Sequence, residues 1–261
     1  QLLAAGGSKN FHLYGVTSGS VVRSFSGHMG NVRKAFFSPD GKQIASVTGT
    51  DPFFIEDEPV RELKIWDAET GHSLPSVTGA YDVAFSPDGR TVAVPDGDKS
   101  VLLYSADSGA PTGALKGHEG RVTSVSYSPD GKRLASSDTR GRVIIWDTGT
   151  GKPVHVISAH ARNRIGCVRF SPGGGFLATT GSFDQCAQVW DVDTGALMFN
   201  LPGHNSIILD ASFSPDGRQL VTTSWDNALR TWDLANGTLL STRRGHSDFV
   251  HGVAHSPDGR L

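Results

Sequence analysis

The sequence predicts an all-β fold of many short antiparallel strands, and three observations lead to this prediction. Glycine and proline are frequent, with 32 and 13 residues, and both favour tight turns. The segments between the turns are short and rich in β-branched residues, as strands are. A tetrapeptide, Ser-Pro-Asp-Gly, recurs along the whole chain, so the strands belong to a repeated unit.

The tetrapeptide is one of three markers that recur in phase. It begins roughly every 42 to 48 residues, at Ser38, Ser86, Ser128, Ser171 (as Ser-Pro-Gly-Gly), Ser214 and Ser256. A Trp-Asp pair follows in four copies, at Trp66, Trp146, Trp190 and Trp232, and Tyr14 and Tyr104 fill the same slot in two weaker copies. A Gly-His pair precedes the tetrapeptide, at His28, His118, His204 and His246, with Ala-His at His160 as a variant.

Each copy contains four predicted strands. In the copy that starts at Gly117 they are Val122–Tyr127, Leu134–Ser137, Val143–Trp146 and Pro153–Ile157. The Ser-Pro-Asp-Gly turn joins the first two strands, and we expect the Asp of Trp-Asp to cap the turn after the third. Four antiparallel strands in a period of this length make one blade of a β-propeller.

The three markers resemble those of the WD-repeat family, and the resemblance covers essentially the whole chain. The turns rich in Ser-Pro-Asp-Gly are similar to those of bacterial WD-repeat modules. The resemblance implies a buried hydrogen-bond chain in each blade that links a carboxylate, the His, a Ser or Thr hydroxyl and the Trp. The matching residues are His28, Ser46 and Trp66; His118, Ser136 and Trp146; His160, Thr179, Asp184 and Trp190; and His204, Thr222, Asp226 and Trp232.

Two copies depart from this pattern at the carboxylate. In the first, Asp51 fits the spacing, but an insertion blurs its position. In the second, Arg140 stands where the Asp is expected, and Asp138 is the alternative. The copy around Tyr104 has no His and carries Pro95 in its second strand, where proline removes a ladder donor. We expect that blade to be the least stable.

The predicted fold is a single domain of six four-stranded blades if the ring is closed; the alternative is a fragment of a seven-bladed propeller. Closure pairs a first strand at Val250–His255 with the strands at the start of the chain, which leaves no exposed sheet edge. Because the chain starts in a strand pattern and stops just after a turn, we expect an excised piece of a longer protein. The expected blades are 28–75, 76–117, 118–159, 160–203, 204–245, and 1–27 joined with 246–261.

The predicted interaction surface is a ring of arginine and aromatic residues, which are common in binding hot spots. It lies where the junction before each first strand meets the turn between the second and third strands, a narrow face on which the resembled family commonly docks partners. The expected partner-binding residues are Asn31, Arg33, Arg121, Arg164, Phe183, Ile207, Trp225 and Phe249, with Phe53 and Phe54 from an insertion at 50–61. That insertion either packs on the neighbouring junction or binds a partner.

Composition narrows the classes of partner. The net charge is −2 and charges of both signs are mixed, which argues against nucleic acid, and no apolar stretch is long enough to cross a membrane. Cys167 and Cys186 are too few for a disulfide framework, so we expect a reducing, cytoplasmic location and a monomeric domain. No cofactor is expected, and no metal site, because the repeated histidines lie in different blades.

The sequence therefore predicts a scaffold without a catalytic site that binds a protein or peptide. His/Asp/Ser sets that recur at the structural period indicate scaffold rather than a catalytic triad. The alternative is a propeller hydrolase or lactonase with a site at the channel mouth, where the first strands offer His251, His255 and Asp210. A periplasmic propeller of the TolB-like kind shares the Ser-Pro-Asp-Gly turns, but the paired Gly-His and Trp-Asp markers argue against it.

Overall fold

A computed structural model of the chain describes residues 9–15, 17–48, 61–74, 77–78, 80, 82–160 and 163–256, and the backbone of residues 2–5. Within these residues the regular structure consists of strands arranged in six antiparallel sheets, five of four strands and one of three. Strands that follow one another in sequence are neighbours in each sheet. The chain is thus all-β, with the blade architecture that the repeat predicts.

The chain forms two compact units, Gln1–Lys116 and Gly117–Leu261. The first unit holds three sheets: β1 (Leu2–Ala5), β2 (Phe11–Tyr14) and β3 (Val21–Phe25); β4 (Val32–Phe37), β5 (Gln43–Thr48), β6 (Glu62–Asp67) and β7 (Val77–Thr78); and β8 (Ala84–Phe85), β9 (Thr91–Pro95), β10 (Ser100–Ser105) and β11 (Pro111–Lys116).

The second unit holds the three most regular sheets. They are β12 (Val122–Tyr127), β13 (Arg133–Asp138), β14 (Arg142–Asp147) and β15 (Pro153–Ser158); β16 (Ile165–Phe170), β17 (Phe176–Gly181), β18 (Cys186–Asp191) and β19 (Leu197–Pro202); and β20 (Ile208–Phe213), β21 (Gln219–Ser224), β22 (Ala228–Asp233) and β23 (Thr238–Arg244).

The hydrophobic core lies between the faces of consecutive sheets. In the second unit, Val143 and Ile145 of β14 pack with Val168 and Leu177 of the next sheet. The four inner residues of a strand such as β13 are fully buried, because both of its faces are covered. First strands of consecutive sheets lie side by side: Thr123 Oγ1 donates to Ile165 O (2.9 Å), and Phe170 N donates to Ser126 Oγ (3.3 Å).

The Ser-Pro-Asp-Gly turn is built from its own side chains. In the fourth sheet, Ser128 Oγ donates to Asp130 Oδ1 (2.7 Å), which also accepts from Lys132 N (3.0 Å). These hydrogen bonds, that of Ser128 first, lower the pKa of Asp130. Gly131 completes the turn with a φ of 72°, a conformation that glycine adopts at little cost.

The turn after the third strand is capped by the Asp of Trp-Asp, as the sequence predicts. Asp147 Oδ1 accepts from Thr150 N (2.8 Å) and from Thr150 Oγ1 (2.9 Å), and Asp191 makes the same pair of contacts with Thr194. A β-bulge next to Trp146, Trp190 and Trp232 shifts the register before this turn. Such bulges re-aim the side chains that follow them.

The end of the described chain departs from the sequence prediction. Residues 250–256 form no strand, whereas Val250–His255 is predicted as the first strand of the blade that closes the ring. Instead, Val250 N donates to Ser224 O (3.4 Å) at the end of β21, and the first sheet has three strands in the described residues. The local pattern favours a strand, but a strand also needs a partner that offers a free edge.

Candidate interaction rim

A buried chain of hydrogen bonds crosses four of the sheets. In the fourth sheet, Trp146 Nε1 donates to Ser136 Oγ (2.7 Å), which lies 2.6 Å from His118 Nε2. Nδ1 of His118 lies 3.0 Å from Asp138 Oδ2. An ionised carboxylate only accepts, so Nδ1 carries the proton, and the Ser136 hydroxyl donates to Nε2. The side-chain polar atoms of Trp146, Ser136 and His118 are thereby all paired in the interior.

The carboxylate reaches the histidine from three different backbone positions. Asp184 and Asp226 come from the turn between the second and third strands and lie 2.7 and 3.0 Å from Nδ1 of His160 and His204. Asp138 is the last residue of β13. In the second sheet the partner is Glu62, the first residue of β6, at 2.9 Å from Nδ1 of His28. Asp51, which the spacing favours, lies outside the described residues.

Hydroxyl and indole occupy the same places in all four chains. His28 Nε2 lies 2.6 Å from Ser46 Oγ, which accepts from Trp66 Nε1 at 2.7 Å. The Thr hydroxyls take the same role in the last two sheets: Thr179 with His160 (2.8 Å) and Trp190 (3.0 Å), and Thr222 with His204 (2.8 Å) and Trp232 (3.0 Å).

The same carboxylates fix the junctions that precede the first strands. Glu62 accepts from Met29 N (3.2 Å), Asp138 from Gly120 N (3.3 Å) and Asp226 from Asn205 N (3.0 Å). These amides belong to the residue just after the histidine in the second and sixth sheets, and to the second residue after it in the fourth sheet. Each buried carboxylate therefore ties a junction to the strands beside it and holds the backbone of the sheet's end in place.

Electrostatics reinforce the chain in the sixth sheet. Burial lowers the pKa of His204 to about 4, against the opposing influence of Asp226. Burial alone would raise the pKa of Asp226, but hydrogen bonds from Asn205 N, Arg230 and His204 outweigh it and lower that pKa to about 2. Arg230 Nη1 donates to Asp226 Oδ2 at 2.7 Å. The histidine is thus neutral and the aspartate ionised at neutral pH.

Sequence reasoning missed Glu62 and Arg230. Both occupy the third strand of their sheets, where the repeat gives no signal for a polar partner. The available signal was their chemistry: a charged side chain among apolar neighbours must find an opposite charge when it is buried. Both side chains are buried.

The junction and the turn between second and third strands meet at the same end of each sheet in the second unit. Arg121 O accepts from Thr139 N (2.9 Å), Arg164 O from Ser182 N (3.1 Å) and Ile207 O from Trp225 N (3.0 Å). Because the first strands of these sheets run side by side, the three ends face the same way. We call this surface the rim; its residues are Arg121, Arg164, Phe183, Ile207, Trp225 and Phe249.

Two aromatic side chains of the rim are open to solvent, whereas Trp225 is half-buried. Phe183 is 71% exposed and Phe249 is 43% exposed. The rings of Trp225 and Phe249 stack with their centroids 4.8 Å apart and an interplanar angle of 17°. Asp248 and Phe249 come from the segment after β23, so this segment completes the rim at the sixth sheet instead of forming a strand.

The arginines of the rim differ from each other. Arg121 is half-buried, whereas Arg164 is only 7% exposed, so its side chain belongs to the interior. Ile207 is half-buried.

In the first unit, Asn31 is exposed and Arg33 is half-buried on β4. Phe53 and Phe54 lie outside the described residues.

The first strands carry ion pairs where the hydrolase alternative needs catalytic groups. Asp210 Oδ1 accepts from Arg169 Nη2 (3.2 Å), and its Oδ2 accepts from Val253 N (3.4 Å). His255 Nδ1 lies 3.0 Å from Ser212 Oγ. The first unit has a similar pair, in which Lys34 Nζ lies 3.2 Å from the buried Asp82. The carboxylate of Asp210 thus neutralises a guanidinium.

These features define the class of the protein. Antiparallel sheets with adjacent first strands, four of them crossed by a His–hydroxyl–Trp chain, make a repeat-built β-propeller. The chain belongs to the WD40 family: the family model, described as "WD domain, G-beta repeat", matches residues 19–51, 63–105, 109–147, 151–191, 195–233 and 237–261. The segment at 109–147 runs from β11 through β14, so a sequence repeat starts in the last strand of one sheet.

Several curated proteins are similar to the chain. Nuclear distribution protein PAC1 of Coccidioides posadasii is 33% identical over 208 residues, which is 77% of the chain and 38% of that protein. Transcription initiation factor TFIID subunit 5 of Caenorhabditis elegans is 28% identical over 82% of the chain and 25% of its own length. WD repeat-containing protein 1 of Gallus gallus is 27% identical over 78% of the chain and 33% of its own length.

The chain spans between 25% and 38% of the length of these three relatives. The similarity therefore covers only part of each of these proteins. In the described part of the chain, no helix has the length and apolar character to cross a membrane.

Proposed function

We propose that the chain is a non-catalytic protein–protein interaction scaffold that binds a peptide or a protein domain on the narrow face of a β-propeller, as a module of a larger regulatory protein. The proposal includes one domain for all six sheets, a monomeric state, a cytoplasmic location, and no binding of nucleic acid or membrane. The two buried free thiols support a reducing location.

The observation that carries the proposal is the pair of exposed aromatic groups on the rim. Phe183 and Phe249, the latter stacked on the half-buried Trp225, present apolar surface to solvent, and the Asp226 carboxylate holds the junction of the sixth sheet in place. Exposed aromatic side chains on a rigid support lose little conformational entropy on binding and dominate interface energies. Arg121 adds a cation to the rim at the fourth sheet.

The relatives support a general role in protein–protein interaction. A subunit of a transcription initiation factor and a nuclear distribution protein are both similar to the chain over most of its length. A subunit acts within an assembly, and the shared part of these proteins is the repeat region. In the first unit, we propose Asn31, Arg33, Phe53 and Phe54 as partner-binding residues.

The test is a selection of peptide ligands against the purified chain, followed by affinity measurements on variants. Phe183→Ala and Phe249→Ala should each weaken a selected peptide by about tenfold or more, as loss of a hot-spot side chain does. The matched controls are Met198→Ala and Leu240→Ala, which remove exposed apolar groups from outer strands β19 and β23. Deletion of residues 50–61 tests the insertion separately.

The outcomes are distinct. Ligands that are unaffected by both rim substitutions, or weakened only by the outer-strand substitutions, would show that the rim is not the docking face. The Ser212–His255 contact is the observation that favours a hydrolase as a second candidate. If the chain hydrolyses ester or lactone substrates and His255→Ala abolishes this activity, the protein is an enzyme and the scaffold proposal is wrong.

A further inference from the structure

The fifth sheet has a cysteine at the first position of its third strand, a position whose residue varies from sheet to sheet. The residues there are Glu62, Ser100, Arg142, Cys186 and Ala228 in successive sheets. In the second sheet this position is close enough for Glu62 to contact His28 Nδ1. In the fifth sheet Asp184 already supplies the carboxylate, and Cys186 adds a thiol at the place from which Glu62 acts.

Three potential metal ligands therefore converge in one sheet. Cys186 Sγ lies 3.9 Å from His160 Nδ1, and Nδ1 lies 2.7 Å from Asp184 Oδ2. The three ligand atoms all lie within 4.8 Å of one another. The repeated histidines lie in different blades, which disfavours a site between them, but these three residues come from a junction, a turn and a strand of the same blade.

We propose that His160, Asp184 and Cys186 bind a divalent cation of the zinc class. Imidazole nitrogen, carboxylate oxygen and thiolate sulfur are the ligands of protein zinc sites, and three of them leave a fourth position for water. With Zn–S and Zn–N bonds of about 2.3 and 2.1 Å, sulfur and nitrogen are about 3.6 Å apart in a tetrahedral site. The observed separation is close to this, and the imidazole and carboxylate must move apart by about half an ångström.

The surroundings provide access and support. The side chain of Asp184 is 24% exposed, so a cation can enter from solvent, while the imidazole of His160 is buried. The Thr179 hydroxyl contacts Nε2 at 2.8 Å and fixes the ring, as outer partners of metal-bound histidines do. Gly181 lies directly beneath: a Cβ there would collide with Asp184 Oδ1 and with His160 Nδ1, so the glycine leaves this space clear of side chain.

The protons balance in a simple way. Without metal, burial and then the charge of Asp184 raise the pKa of Cys186 to about 12, so the thiol is protonated. Coordination releases the thiol proton to solvent, as cations deprotonate thiols that bind them. The imidazole proton moves from Nδ1 to Nε2, where it is donated to Thr179 Oγ1. Thiolate and carboxylate then balance the two charges of the cation.

The test is a titration of the reduced, metal-free and untagged chain with Co²⁺, which replaces Zn²⁺ and reports its ligands by absorbance. We expect one equivalent to bind, with a thiolate-to-cobalt charge-transfer band and the intense visible bands of a tetrahedral site, and Zn²⁺ to displace it. Cys186→Ser should abolish the charge-transfer band and weaken binding by about tenfold or more. Cys167→Ser, which alters the other buried thiol, should change neither.

Far-ultraviolet circular dichroism and thermal unfolding show whether each variant is folded. Asp184→Asn is the second variant: it retains a hydrogen-bond acceptor for His160 but removes a charge, so it should keep the sheet folded and weaken Co²⁺ binding. The proposal is overturned if the folded chain gives no charge-transfer band, if Cys186→Ser keeps it, or if Cys167→Ser loses it as well.

Discussion

Glu62 Oε2 lies 2.9 Å from His28 Nδ1, and Glu62 is the first residue of the third strand of its sheet. The other three carboxylates that contact a histidine in this way come before the third strand of their sheets. Asp138 makes the same contact with His118 from the end of a second strand, and Asp184 and Asp226 make it from turns. The four chains have in common the position of a carboxylate oxygen beside Nδ1. The backbone position of the residue that supplies the oxygen varies.

Replacement of Glu62 by Ala should lower the free energy of unfolding by about 1–3 kcal/mol, because it leaves His28 Nδ1 and Met29 N unpaired in the interior. Urea unfolding measures this loss. Glu69→Ala, which removes an exposed carboxylate from the same sheet, should have little effect. The assignment is wrong if Asp51→Ala destabilises the chain by this amount and Glu62→Ala does not.

Replacement of Ser136 by Ala should cost a similar amount, since the hydroxyl is the partner of both His118 Nε2 and Trp146 Nε1. Ser136→Thr is the conservative control, because Thr179 and Thr222 occupy the same place in the next two sheets. We expect it to recover most of the loss in the same urea measurement. Equal destabilisation by Ala and Thr would indicate that packing, not the hydroxyl, matters at this position.

Gly181 should tolerate no side chain. A Cβ there would meet Asp184 and His160, so Gly181→Ala should lower stability by about 1–3 kcal/mol through overpacking. Gly175→Ala is the matched control. Gly175 comes just before the same strand, β17, and a Cβ there meets nothing within 4 Å. Thermal unfolding of the two variants should differ clearly, and identical melting curves would contradict the close packing around Gly181.

Acid should destabilise the sixth sheet in two steps. The pKa of His204 is about 4 when folded and 6.5 by itself, so the unfolded state binds its proton first. Stability from this group is complete above about pH 6.5 and is lost as the pH falls toward 4. Asp226, with a folded pKa of about 2 and an unfolded value of 3.8, adds a further loss between these values.

Nuclear magnetic resonance measures the titration of His204 directly, with its signal identified by its absence in His204→Asn. We expect a midpoint near pH 4. A midpoint near 6.5 would mean that the imidazole is solvated in the native chain. Unfolding free energies of the wild-type chain between pH 7 and 4 should decrease over the same range, and less so in His204→Asn.

Amide hydrogen exchange should be fastest in the third sheet. Its first strand, β8, has two residues, Pro95 offers no amide to the ladder, and Tyr104 stands in the Trp slot. Fewer ladder bonds and the lack of a His–Trp chain within its described residues favour local opening. We expect the amides of β9 and β10 to exchange faster than those of β13 and β14; equal protection would contradict the prediction made from sequence.

Repetition made much of the fold predictable. The strands predicted in the copy at Gly117 agree with β12 to β15 within about a residue at each end. Turn chemistry was equally local, because the side chains of Ser128 and Asp130 bond to each other and to the backbone of the next few residues. The absence of a strand at Val250–His255 was not predictable in this way, since a strand requires an edge to pair with.

The amino-acid sequence by itself determined the family, the number of repeats, the turn types, and the His, hydroxyl and Trp of each buried chain. These follow from short-range preferences that recur in every copy. Tertiary structure decided what those residues meet: Glu62 at His28, Arg230 beside His204, Arg164 in the interior, Phe249 on Trp225, and Cys186 near His160. Such pairs join residues far apart in sequence, and whether they touch depends on bulges, register and packing between sheets, which shift side chains by more than the reach of a hydrogen bond.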